Sequence, residues 1–285
     1  MKEEPFGFVE ESRGLFQAFA DQAAIALENA NLVRVTIEQE RYREELRLAH
    51  EAQMRLLPQK MPEMKGVDIS GFCLTANDIG GDFYDVIEVD SDRMDIVIGD
   101  VSGKGASAAF YMAELKGAIQ TLSRHFSSPK DILMEMNGFL HKHFEPQTFV
   151  TMIYGILYPE KRELHFVRAG HPPVGLIRRG TLSWIETEGM GLGMAPNPLL
   201  EKTLSTKTIH LKKGDTVVFY TDGLIEARNS QSEEFGEDAL KRMLIHLSGL
   251  ESKEMLQQVQ KQMQSFTEGI PRHDDITLVI FKILS

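Results

Sequence analysis

Four short stretches place aspartates at the ends of apolar, β-branched runs: IGGDFYDV at 79–86, IGDVSGKG at 98–105, FYTDG at 219–223 and HDDITLV at 273–279. Carboxylates repel one another, so a fold that gathers several of them needs a cation in their midst. The pattern predicts a metal site built from strand ends, and metal-assisted attack by water is the chemistry it suits. Between Asp78 and Asp100 there are eight acids and one base, Arg93. A solvated turn accounts for Glu88, Asp90 and Asp92 in EVDSD, but not for two others. Asp82 follows two glycines, which let backbone pack closely. Asp100 ends MDIVIG, an otherwise buried strand, and an unpartnered carboxylate there is costly. Asp222 ends VVFYT before a glycine, and Asp274 and Asp275 open the last strand.

Strands must position these residues. From Val67 onward VDISGFCLTA, FYDVIEV and MDIVIGDV are short and rich in β-branched residues. A small-residue helix follows in SGKGASAAFYMAELKGAIQTL, then a second from the Ser128–Pro129 boundary to about His143. FVTMIYGILY, ELHFVRAG, VGLIRR, TLSWIE, TLSTKTIHL and DTVVFYTDG read as strands, 236–247 and 252–266 as helices, and DITLVIFKIL as a closing strand. Several strand-to-strand gaps are too short for a crossover helix, which predicts antiparallel pairing. The fold class expected is α+β, a layered β-sandwich of mostly antiparallel sheets flanked by helices.

The chain divides near residue 58. From Ser12 to Leu57 there is no proline and only Gly14, and Pro58 and Pro62 stop the helical composition. A seam at Ile25, Leu32, Val35, Tyr42, Leu46, Ala49 and Leu56 has heptad spacing, with Glu28, Gln39 and Gln53 on the same line. Residues 1–57 therefore read as a regulatory, dimerising coiled-coil helix, or as a lone amphipathic helix packed on the next domain. Residues 58–285 read as the second domain.

Composition narrows the rest. The chain of 285 residues is 42 % hydrophobic and 26 % charged, an ordinary globular profile. A net charge of −11 argues against broad nucleic-acid binding. The single cysteine, Cys73, lies in an apolar run, forms no internal disulfide and fits a reducing compartment. No signal peptide is visible, and FVTMIYGILY is far short of the ~20 residues a spanning helix needs. A cytoplasmic location away from membranes is the expectation.

Asp82 in GGDFYD, Asp100 in GDVSGKG, Asp222 in YTDG and the DDIT of the last strand resemble the metal-dependent serine/threonine phosphatases of the PPM (type-2C) family. The stretch from MRLLPQKMPEMKGVDIS to GGDFYDV, and AGHPPVGL, are similar to its bacterial SpoIIE/RsbU branch. The likeness covers roughly residues 54–285. It implies that Asp82, Asp100 and the Val101 carbonyl hold metal, with Asp222 and Asp274 as ligands on the second metal side. Asp275 stands where many eukaryotic members have asparagine, which implies a supporting role. It further implies two Mn²⁺ or Mg²⁺ ions, hydrolysis of phosphoserine or phosphothreonine by activated water, and a phosphorylated STAS-domain anti-sigma-factor antagonist as substrate. LFQAFADQAAIALENANL resembles the last helix of a GAF domain running into a signalling linker.

The chain departs from the eukaryotic pattern in two places. Ser102 stands where many eukaryotic members carry a histidine proposed as proton donor, and their phosphate-gripping arginine has no clear counterpart. His171 in AGHPP is a candidate donor or a turn-stabilising residue. His273 beside Asp274 reads as structural, and Lys104 as a solvated turn lysine or a phosphate contact. GGDF lacks the acidic residue of the diguanylate cyclase signature, so that reading is rejected. A catalytically silent binding module and a coiled-coil scaffold are the alternatives from other classes.

Overall fold

A computed structural model describes residues 10–103 and 105–284, with side chains from Arg13 onward. The described residues form two compact units, the helix up to Ala49 and a globular unit from His50 onward. The division falls inside the helix rather than at the Leu57–Pro58 junction, because the last turns of the helix are bonded to the globular unit.

The helix α1 (Glu10–Leu56) runs unbroken for 47 residues and stops before Pro58. Glu44 and Arg47 pair on its surface at 2.6 Å. Its apolar residues are exposed within the chain, including Ile25, Leu32, Val35 and Tyr42 of the heptad line and Leu15, Phe16, Leu27 and Ile37 off it.

The globular unit contains two five-stranded antiparallel sheets. One has the order β1 (Val67–Leu74), β10 (Ile276–Ile283), β9 (Thr216–Tyr220), β6 (Val174–Arg178), β7 (Thr181–Ile185). The other has the order β2 (Phe83–Asp90), β3 (Arg93–Val101), β4 (Val150–Tyr158), β5 (Glu163–Ala169), β8 (Thr206–His210). The layered α+β architecture is as the strand pattern predicts. Two short helices, α4 (Asn197–Thr203) and α5 (Gly223–Glu226), were not anticipated.

Strand alternation separates two cores. In β9, Val217 and Phe219 face the core shared by the two sheets, while Val218 and Tyr220 face α6 (Gly236–Leu247) and α7 (Ser252–Phe266). Period-two side-chain direction requires this when both faces of a sheet are covered. The second sheet is covered by α2 (Ala106–His125) and α3 (Pro129–His143). Ser128 caps α3, its hydroxyl accepting from Asp131 N at 3.3 Å with Pro129 in the first turn, which is how the Ser–Pro boundary starts a helix.

Two buried ionic groups fix the helical layer. Asp95 accepts two bonds from Arg93, at 2.8 and 2.7 Å, and one from Tyr154 at 2.6 Å, while Arg93 also donates to Phe126 O at the end of α2. Lys116 of α2 lies 3.1 Å from Asp85 of β2. No helix among the described residues is long and apolar enough to cross a membrane.

Candidate metal centre

The aspartates meet at one end of the two sheets. Asp82 comes from the loop entering β2, Asp100 from the end of β3, Asp222 from the start of α5 just after β9, and Asp274 from the loop entering β10. Antiparallel pairing of β10 with β9 sets the start of β10, next to Asp274, against the end of β9 that leads into Asp222.

Asp82 is 3 % exposed. Its Oδ2 accepts from the hydroxyls of Thr221 at 2.8 Å and Thr277 at 2.7 Å. Burial, then repulsion from Asp100 and Asp275, push its carboxyl well above the usual range, and the two threonines oppose this. Asp100 is pushed up to about 7 by burial and by Asp222, Asp274 and Asp275. Asp222 is raised by burial and by Asp274. The opposing influences on all three are hydrogen bonds rather than cations.

Val101 is buried, and its carbonyl faces Gly81, where a Cβ would lie 2.5 Å from the oxygen. Asp274 accepts from Asp275 N at 2.9 Å. Asp275 is turned into the protein: its carboxylate accepts from Ala76 N at 2.7 Å, Gly81 N at 2.8 Å and Asp82 N at 3.3 Å. It therefore holds the loop that carries Asp82, a supporting place.

The donor set fits a hard divalent cation. It is all oxygen, its carboxyls are desolvated and they repel one another, the electrostatic condition that a bound cation relieves. Among the described residues, no group of three or more His, Cys, Asp or Glu side chains is placed to hold an ion as it stands. The carboxylates interact without sharing a common coordination sphere.

The other candidates fall differently. His171 is 1 % exposed, with Nδ1 2.9 Å from Thr151 Oγ1. Burial and the Arg168 charge push it down to about 3. The imidazole is therefore neutral near pH 7, with one ring nitrogen carrying a hydrogen. Thr151 is the cross-strand partner of Asp100, so His171 is tied through that threonine to the strand end that carries Asp100. His273 lines a cavity of about 310 Å³ with Asp274, Gly223, Arg228 and Arg272. Ser102 closes the turn after β3, its Oγ accepting from Phe149 N at 2.9 Å. Lys104 lies outside the described residues. The thiol of Cys73 is pushed up by burial and by Asp82, as an inert core thiol would be. Thr221, Thr277 and Gln53 were missed by sequence reasoning. The threonines had a signal: each lies within three residues of a motif aspartate on a buried strand end.

Comparison with known proteins shows the family and the fold. Residues 90–284 match the family described as stage II sporulation protein E (SpoIIE), a span that includes Asp100, Val101, Asp222 and Asp274 and begins after Asp82. The chain is 26 % identical over 246 residues to phosphoserine phosphatase RsbU of Bacillus subtilis, covering 86 % of this chain and 71 % of RsbU. It is 26 % identical over 187 residues to phosphoserine phosphatase RsbP of the same organism, covering 64 % of this chain and 45 % of RsbP. The PP2C domain of SiaA from Pseudomonas aeruginosa superposes with a TM-score of 0.76 at 20 % identity, covering 86 % of this chain and 98 % of that domain. With more than half its length matched and the PP2C fold around the carboxylate cluster, the chain belongs to the SpoIIE family.

Proposed function

We propose that this chain is a metal-dependent protein phosphatase that hydrolyses phosphoserine or phosphothreonine. The observation that carries the reading is that Asp82, Asp100, Asp222 and Asp274 come from separate stretches and lie close enough to repel one another. Those four carboxylates and the Val101 carbonyl would hold two Mn²⁺ or Mg²⁺ ions. The chemistry such ions supply is activation of water for in-line attack and neutralisation of charge on the phosphoryl oxygens. The chain's own part is placement. Thr221 and Thr277 fix one oxygen of Asp82, and the carboxyl also interacts with Asp100. Asp275 holds the loop beneath it. No protein nucleophile is required, which agrees with the inert state of Cys73.

The names of RsbU and RsbP support phosphoserine as the bond hydrolysed. A phosphorylated STAS-type protein is the substrate that the SpoIIE/RsbU likeness favours. Residues 12–57 act as a homodimerising arm in this reading, supported by the exposed apolar residues along α1. Sedimentation that finds a monomer at high concentration, with activity unchanged on removal of residues 1–50, refutes that arm.

The test of the activity is Mn²⁺-dependent phosphate release from a phosphoserine STAS-type protein, comparing the chain with Asp222→Asn. Release that needs the metal and disappears in the variant is expected. A silent binding module is the alternative reading, and the presence of all four aspartates argues against it. It predicts Mn²⁺ binding without release.

A further inference from the structure

Asp82 projects from the loop between β1 and β2, and side chains distant in sequence hold that loop. Asp275 takes the backbone amides of Ala76, Gly81 and Asp82. Gln53, in the last turn of α1, takes the other side. Its Nε2 donates to Gly80 O at 2.6 Å and its Oε1 accepts from Gly80 N at 3.2 Å. The side chain is 4 % exposed, so this amide exchanges its bonds with one peptide rather than with water. One turn earlier, His50 Nδ1 lies 2.7 Å from Asp78 O. Gln53 and Gly80 both belong to the globular unit.

Gly80 is confined from both directions. A Cβ there would lie 2.0 Å from Asp275 Oδ2, so the Gln53 amide and the Asp275 carboxylate grip the loop between them. Gly80 offers one donor and one acceptor at the contact, and the Gln53 carboxamide answers both. Gln53 also falls on the heptad line, where its polarity suggests a register-setting residue between two helices. The structure commits it to Gly80 instead.

We propose that Gln53 is a positioning residue of the metal centre. Its paired bonds to Gly80 set the backbone from which Asp82 reaches the cation, so that cation affinity depends on a side chain that never touches the ion. The inference rests on the metal-dependent phosphatase reading. Partners one step removed from a metal commonly govern its affinity by orienting the ligands.

The test uses the full chain, with calorimetric titration of Mn²⁺ and Mn²⁺-dependent hydrolysis of p-nitrophenyl phosphate. Gln53→Met keeps the side-chain volume and removes both bonds. Gln59→Ala is the control: Gln59 donates to Met54 O at 2.6 Å and Leu57 O at 2.9 Å, securing the end of α1 without touching the loop. Gln53→Met is expected to weaken Mn²⁺ binding about tenfold and to raise the half-maximal Mn²⁺ concentration for hydrolysis by the same factor. Activity returns at saturating Mn²⁺, and Gln59→Ala matches the unaltered chain in both. A purely structural role for Gln53 predicts lower thermal stability with unchanged Mn²⁺ affinity, and that result overturns the proposal. Should Gln53→Met fail to fold, Gln53→Glu, which keeps the acceptor for Gly80 N, makes the same comparison with the same expected direction. If the unaltered chain binds no Mn²⁺, the phosphatase reading falls and this inference with it. If it binds Mn²⁺ and Gln53→Met binds it equally well, only the inference falls.

Discussion

Replacing Asp100 with asparagine should make the metal-free protein more stable while removing its activity. Burial and the neighbouring Asp222, Asp274 and Asp275 hold the Asp100 carboxyl at about 7, against an ordinary value of 3.8. Between about pH 4 and 7 the native chain keeps a proton that the unfolded chain has released, so stability falls as pH rises through that window. At 1.36 kcal/mol for each pH unit separating the two values, the cost at pH 8 is at most about 4 kcal/mol. Partial solvent access to the carboxyl brings this to roughly 2–4 kcal/mol. Asparagine is nearly isosteric and carries no charge, so the variant escapes the penalty. For a domain of this size the gain corresponds to roughly 5–10 °C in melting temperature. The assay is urea and thermal unfolding in EDTA at pH 4, 6 and 8. The two proteins should converge at pH 4 and separate progressively above it. Mn²⁺ should reverse the order at pH 8 by stabilising the unaltered chain alone. A variant no more stable than the unaltered chain at pH 8 in EDTA refutes the claim that the carboxylates repel one another in the free site.

Asp275→Ala strips the acceptor from three backbone amides at once and should cost roughly 3 kcal/mol in urea unfolding. Asp275→Asn keeps one oxygen and should lose about half as much. Tyr154→Phe removes one of three bonds to buried Asp95 and should cost roughly 1–2 kcal/mol. Arg93→Leu leaves that carboxylate buried without its cation and should cost roughly 3–5 kcal/mol by the same measurement.

Much of this was legible in the sequence because the chemistry sits at boundaries that local patterns mark. Asp100 and Asp222 close apolar, β-branched runs, and those run ends placed them at strand ends. The division of labour between Asp274 and Asp275 came from family likeness, and what the fold adds is that Asp275 turns to the loop and takes the amides of Ala76, Gly81 and Asp82. Gln53 was misplaced because a heptad line states that a face is special without naming its partner. His171 drew attention through its Gly-His-Pro-Pro setting, yet nothing in sequence distinguishes a buried neutral imidazole from an exposed one. Thr221 and Thr277 were hidden because threonine in a strand already has a reason to be there, its β-branch. The helices α4 and α5 are seven and four residues long, too short for periodicity to register.

The pairing of β1 with β10 has a consequence for biosynthesis. Val67 lies opposite Ile283, so the first strand of the globular unit waits for the last before it has a neighbour in its sheet. Synthesis of the roughly 200 intervening residues occupies on the order of 10–40 s at ordinary translation rates. Through that interval the nascent chain lacks Asp274 and the strand that carries Thr277, while β2 to β5 can already pair. The sheet is therefore completed only when the final strand inserts between β1 and β9, and the loop carrying Asp274 arrives with it.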